Sequence, residues 1–352
     1  MREARIAWID NAKGISVILV VMMHSALGVG EAMGGEGLLH WLVAFAKPFR
    51  IPGFFFIAGL FLSRAIDQDW RSYLDKKVAH FAYFYCLWLF IQWLFKSALR
   101  PGADPLTALG QLALALVEPF GTLWFIYLLP IFFVATKLLR LVPTPIMLLA
   151  AALLEMAPIE TGWAVPDEFA ARYVYFLSGY LFAPQVFALA ESARRHPREA
   201  LCWLLGWAMA DTALAFSPSP SPSADYPNLA SLPLVSLVTG FAGAAAVIAG
   251  AALLADLPSM EWLRYCGANS LAIYLGFFLP MAAARKLIVD HDLVDSVGLA
   301  SLIVTMAGVT FPLLLHRVTE RGRFRFLFER PRSFRLEPAE SGAARSARQN
   351  AA

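Results

Sequence analysis

Apolar residues fall along this chain in unbroken blocks of helical length, not in the every-other pattern of a half-buried strand. Ten blocks stand out, at about residues 5–30, 41–63, 78–95, 123–141, 146–156, 173–190, 201–216, 232–254, 263–284 and 297–315. A helix needs about 20 apolar residues to cross a bilayer core. Backbone groups in lipid must be satisfied within the protein, which leaves helices or a closed barrel. Continuous apolar runs exclude the barrel. The pattern therefore predicts an all-α integral membrane protein with about ten transmembrane helices. The run 106–117 is too short to span and reads as an interfacial or re-entrant piece. The stretch 217–228, SPSPSPSADYPN, reads as an extended polar loop.

Charge placement orients the spans. Lys and Arg collect at the N-terminus, in 64–77, at Lys137 and Arg140, in 194–198 and in the C-terminal tail. The intervening loops carry Glu31, Glu36, Asp167, Glu168 and the Ser-Pro stretch. The positive-inside rule then places both termini in the cytoplasm. Lys96 with Arg100, and Arg285 with Lys286, run against this bias by landing outside. One polytopic domain is expected over 1–335, with a disordered cytoplasmic tail over 336–352. Composition agrees: the 352 residues are 59% hydrophobic and only 16% charged, against about a quarter in a soluble protein. Cys86, Cys202 and Cys266 show no metal spacing and read as free, buried thiols. Nothing points to nucleic acid.

Against this background the polar residues inside spans need a reason. Asp10 and Lys13 open the first span, and His24 follows eleven residues after Lys13. At 1.5 Å per residue Lys13 and His24 are roughly 16 Å apart on nearly the same side of the helix. Asp10 and Lys13 also fit an interfacial position, which leaves His24 as the buried polar group. In the second span Lys47 and Arg50 precede a Pro52-Gly53 break. Both are candidate cations at the depth of His24. Lys47 fits snorkelling to the interface better, and Arg50 fits either role. An imidazole can act as base toward a hydroxyl, and a cation can hold an oxyanion or an anionic ligand group.

The sequence resembles the acyltransferase-3 family of bacterial membrane acyltransferases. The D-N-A-K element at Asp10 to Lys13 with His24, PGFFFIAG at 52–59, LWFIYLLPIFF at 123–133, YFLSGYLF at 175–182 and NSLAIYLGFFLP at 269–280 carry the likeness. It covers nearly the whole chain in order. The resemblance implies transfer of an acyl group, often acetyl, from a cytoplasmic acyl-CoA to a hydroxyl, commonly on a surface or secreted glycan. It implies His24 as the essential catalytic residue and Lys13 as its matching basic residue. It also implies a bacterial inner-membrane location, with acyl-CoA as a substrate and no permanently bound cofactor. Where the family often has an R-x-x-R-like pair entering the third span, this chain has DKKVAHF. Lys77 and His80 are then the residues expected to line a cytoplasmic donor entrance, although both also fit an ordinary positive-inside role.

The remaining candidates are weaker. Asn269, Ser270 and Tyr274 share one helix and could orient a ligand or bond between helices. Arg172 reads as an interface anchor, and Glu31 and Glu36 as solvated loop carboxylates. The expectation is an O-acyltransferase. His24, Lys13 and Arg50 are its catalytic candidates. Asp10, Lys47, Lys77, His80, Asn269, Ser270 and Tyr274 are its substrate-binding candidates. Two roles for His24 stay open, as base or as acyl carrier. The rival reading is a transporter without acyl chemistry. It would spread intramembrane charges over both halves, whereas here they concentrate in the first three spans.

Overall fold

The structure is a computed structural model that describes residues 6–63, 65–98, 104–119, 121–220, 222–223 and 226–336. In chain order its helices are α1 (Ala7–Met33), α2 (Leu38–Gly59), α3 (Trp70–Leu74), α4 (His80–Trp93), α5 (Pro105–Leu114), α6 (Trp124–Leu138), α7 (Thr144–Met156), α8 (Ala164–Leu181), α9 (Ala183–Arg195), α10 (Pro197–Phe216), α11 (Pro233–Leu253), α12 (Glu261–Ala268), α13 (Ser270–Gly276), α14 (Phe278–Asp290) and α15 (Val297–Thr319). A π-helical turn, Asp75–Ala79, joins α3 to α4, so that one run extends from Trp70 to Ser97. Among the described residues there is no strand, only an isolated bridge between Pro218 and Asn228 in the Ser-Pro loop.

The protein is all-helical and multi-pass. Six of the described helices are long and apolar enough to cross a membrane, and eight if each of two bent pairs is one crossing. The bends mark where the sequence pattern was too coarse. The block at 173–190 breaks at Phe182, and α8 and α9 meet at 75°. Pro184 stands in the first turn of α9 and has no N–H to continue the ladder. The block at 263–284 breaks at Asn269 and again at Phe277, where α13 and α14 meet at 52°. Gly276 ends α13, and Pro280 falls in the first turn of α14. The run at 106–117 becomes α5, too short to span, with Leu106, Leu109 and Leu114 exposed.

The chain forms two compact units, one of Met1–Ser63 with Leu138–Val318 and one of Arg64–Lys137 with Thr319–Ala352. The first is packed around α1, which touches α2, α11, α12, α13 and α14. Inside lipid, helices associate through close packing and interhelical hydrogen bonds, so small residues at crossings matter. At the α1–α12 crossing an ideal Cβ on Gly267 would fall 1.6 Å from the Asp10 carbonyl oxygen, and one on Gly14 2.5 Å from that of Leu263. Only glycine permits this approach. Asn11, fully buried, adds a bond from its amide Nδ2 to the Ala251 carbonyl of α11 at 3.1 Å. Ser25 donates to the Ser301 carbonyl of α15 at 2.7 Å.

The second unit is held by buried polar anchors. Lys137, which closes its span, is only 3% exposed, with Nζ 2.6 Å from the carbonyl oxygens of Ile66 and Gln68 and packed over the rings of Trp70 and Tyr73. The tail does not run free from its basic start. Tyr83 and Trp88 donate to the carbonyls of Phe326 and Leu327 at 2.9 and 3.0 Å. The Leu336 N–H donates to Asp75 Oδ1 at 2.6 Å. Residues 337–352 of the expected tail lie outside the described residues. The three cysteines are free, as expected, but only Cys266 is buried. Cys86 and Cys202 stand on outward helix faces.

Candidate functional site

His24 lies two turns before the end of α1, half-buried, with its ring 5.3 Å from that of Phe277 at the α13–α14 break. Phe277 is fully buried, and Tyr274 stands next to it at 6.4 Å between ring centres. Tyr274 in turn meets Phe54 of α2 at 6.5 Å. A row of aromatic rings thus leads from the imidazole to α2. Phe277 stands at that break, between α13 and α14.

Arg50 belongs to the same neighbourhood. It stands four residues before Phe54, on the same stripe of α2, and is 9% exposed. Its Nη1 reaches back 3.5 Å to the Val43 carbonyl oxygen, and its buried Nε has no hydrogen-bond partner. Val43 packs with Met22 and Ala26, the residues that bracket His24 on α1. The Arg50 guanidinium and the His24 turn therefore come to the same level of the α1–α2 pair. Arg172 of α8, itself paired with Glu168 at 3.1 Å, adds positive charge near Arg50.

The other sequence candidates of this unit lie as follows. Lys47 is exposed, in keeping with a snorkelling cation. Asp10 lies at the α1–α12 crossing, its carbonyl against Gly267. Lys13 holds its ammonium 4.6 Å from the centre of the Phe61 ring. Asn269 sits in the α12–α13 break and donates to the Tyr265 carbonyl at 2.9 Å. Ser270 begins α13 beside it. Of the group at 269–274, Tyr274 alone joins the aromatic row.

In the second unit, Lys77 lies in the π-helical turn, half-buried, with Nζ 4.8 Å from the centre of the Phe133 ring. His80 begins α4 and packs edge-on against Phe81 and Phe84 at 5.2 and 5.1 Å. Arg330 and Lys77 both place positive charge near His80, and Asp75 places a negative one. Among the described residues of either unit no cluster of His, Cys, Asp and Glu is suited to hold a metal.

A family model described as an acyltransferase domain matches residues 6–317, nearly the whole chain. The chain belongs to the acyltransferase-3 family. It is also similar to the inner membrane protein YcfT of Escherichia coli (strain K12), 27% identical over 215 residues. That match takes in 54% of this chain and 60% of YcfT, so it spans less than two thirds of that relative. No solved structure matches.

Two features of this acyltransferase-3 protein were not legible as site residues. Arg285 of α14 was read as a misplaced outer charge. Its guanidinium lies over Gly28, where an ideal Cβ would stand 2.4 Å from Nη1. Gly28 is one turn beyond His24 on the same face of α1. The adjacent Lys286 is neutralised by Asp290 at 2.6 Å, whereas Arg285 has no carboxylate partner among the described residues. The missing signal was Gly28 itself, a small residue four positions after the histidine. Glu155 stands in the sequence at the end of a short apolar block. It ends α7 with Oε1 accepting from Tyr175 and Ser236 at 3.0 and 2.9 Å, which ties α7 to α8 and α11.

Proposed function

We propose that this protein moves an acyl group, acetyl in the simplest case, from a cytoplasmic acyl-CoA to a hydroxyl of a glycan or similar acceptor. One arrangement supports the reading: the His24 imidazole against Phe277, with Arg50 and Arg285 brought to the same stretch of α1. Neither guanidinium has a carboxylate partner among the described residues. A group that takes a proton, beside cations that do not give theirs up, is the combination a hydroxyl attacking a thioester requires.

The chemistry balances on those groups. His24 takes the hydroxyl proton as the oxygen bonds to the thioester carbonyl carbon. The tetrahedral oxyanion is stabilised by a guanidinium. Its collapse breaks the C–S bond, and the leaving thiolate takes the proton back from the imidazolium. Lys77 and His80 serve the donor. In this reading ten crossings form when α7 and α10 are added to the eight, with both termini cytoplasmic in the bacterial inner membrane. The aromatic row of Phe54, Tyr274 and Phe277 keeps bulk water from the thioester.

The test is transfer of label from radiolabelled acetyl-CoA into cell-envelope glycan by membranes containing the protein. His24→Gln keeps polarity and approximate size but takes no proton near pH 7. Transfer is expected to fall by about 10²–10⁴ at equal protein level. Near-normal transfer by that variant would overturn the assignment of His24, and no transfer by the parent protein would favour a transporter.

A further inference from the structure

The second unit contains a cationic pocket whose residues the reading above leaves without a role. A cavity of about 300 Å³ is lined by Arg325, Phe326, Glu329, Arg330, Pro331, Arg332 and Arg335. Four of its seven lining residues are arginines and one is acidic. The volume lies at the lower end of sites that hold small molecules.

Its charge is not cancelled internally. Arg325 pairs with Glu329 at 2.6 Å. Arg330 pairs with Asp75 at 2.7 Å, both side chains under 9% exposed, and its Nη1 also donates to the Asp75 carbonyl at 2.9 Å. Arg335 adds its positive charge to that of Arg330 around Asp75 without a salt bridge to it among the described residues, Arg332 has no carboxylate partner among them, and both arginines are exposed. The pocket is therefore net positive, with two guanidiniums free to turn toward a ligand.

Its walls are fixed. Asp75 uses one carboxylate oxygen for Arg330 and the other for the Leu336 N–H, at 2.7 and 2.6 Å, so it anchors the segment on both sides of Arg332 and Arg335. Arg71 closes the far end by donating Nε and Nη2 to the Leu336 carbonyl at 3.2 and 2.9 Å. A segment this basic gains nothing in stability from concentrating like charges. The anchoring holds the charges together against their repulsion. Asp75 and Lys77 share one π-helical turn, so the same turn positions the pocket.

We propose that Arg332 and Arg335, with Arg325 and Arg330 as walls, form a phosphate-binding pocket. Guanidinium forks match the oxygens of a phosphate bidentately, and several of them together suit a group that carries more than one negative charge. Two sources offer that chemistry: the nucleotide phosphates of the acyl-CoA donor and the headgroup phosphate of an anionic lipid. The first deepens the reading above and rests on it. The second stands without it.

The experiment is equilibrium binding to the detergent-purified full chain, with two probes. One is acetyl-CoA, compared with acetyl-dephospho-CoA. The other is the thermal stabilisation given by nanodiscs of phosphatidylglycerol over those of phosphatidylcholine. The variant is Arg332→Gln with Arg335→Gln. Both side chains are exposed, so the fold should survive, as checked by elution volume. Lys at both positions should restore part of the binding. A tenfold or greater loss of acetyl-CoA affinity, with the dephospho form binding weakly throughout, identifies the donor. Unchanged acetyl-CoA binding with loss of the phosphatidylglycerol effect identifies a lipid. If both are unchanged in the double variant, the proposal is wrong. Both probes read binding and not transfer, so a failure of the catalytic reading, seen in the transfer assay, is distinguished from a failure of this one.

Discussion

The Arg285 guanidinium occupies the space that a side chain on Gly28 would fill, with Nη1 2.4 Å from the ideal Cβ position. This sets a permanently charged group one helical turn from His24. Arg285→Ala should lower kcat/KM for acyl transfer by about 10²–10³-fold, the range for removing one charge-stabilising donor. Arg285→Lys should restore part of it. Gly28→Leu should produce a similar loss by displacing the guanidinium rather than deleting it. The measurement is initial rate against acetyl-CoA in membranes with matched protein levels. Parent-level rates for all three variants would remove Arg285 from the site.

Phe277 is fully buried and faces the His24 ring. Phe277→Ala should cost about 3–5 kcal/mol of stability as a large-to-small core change. Phe277→Leu retains most of the packing but withdraws the flat face from the imidazole. The expected outcome for Leu is a lower kcat with little change in the thermal midpoint. A midpoint loss as large as that of Ala would mark Phe277 as a packing residue only.

Gly267 meets the Asp10 carbonyl oxygen, with only 1.6 Å available to a Cβ. The obstacle is backbone on both sides and cannot rotate away. Gly267→Ala should destabilise the α1–α12 crossing by about 1–3 kcal/mol, the usual scale for overpacking. Gly110, with nothing within 4 Å of its ideal Cβ position, is the control. Gly267→Ala should show a lower thermal midpoint and weaker accumulation, and Gly110→Ala should show neither.

The buried Asp75–Arg330 pair gives a fourth test. Asp75→Asn leaves the Arg330 guanidinium without its counter-charge, a loss of about 3–5 kcal/mol for breaking one side of such a pair. The segment around Arg325–Arg335 should then open, and limited trypsin digestion should cut there faster than in the parent. Adding Arg330→Met removes the stranded charge and should recover part of the protection. Equal digestion of parent and Asp75→Asn would show that the pair does not hold the segment.

The helical pattern was legible because lipid enforces long apolar runs, and the family was legible in Asp10, Lys13, His24 and the later motifs. Breaks inside the runs were not. Phe182 and Phe277 are ordinary apolar residues, and the bends depend on Pro184 and on Gly276 with Pro280 acting at a distance of a few residues. Burial of His24 and Arg50 followed from the cost of polar groups in the bilayer. Arg285 and Arg330 were hidden because charge counting assigns every cation near a span end to topology. Only packing shows that one covers Gly28 and that the other is buried on Asp75. The burial of Lys137 on the Ile66 and Gln68 carbonyls was hidden in the same way.

The clamp between Asp75 and the 330–336 segment also bears on the order in which the chain matures. The two halves of that contact are separated by 255 residues in sequence, and the whole of α7–α15 is synthesised between them. Until Arg330 leaves the ribosome, the Asp75 carboxylate lacks its counter-ion, and the turn that carries Lys77 lacks its outer wall. The second unit cannot close during insertion of its own helices. It must wait, partly assembled, for residues made long after the histidine helix is in place.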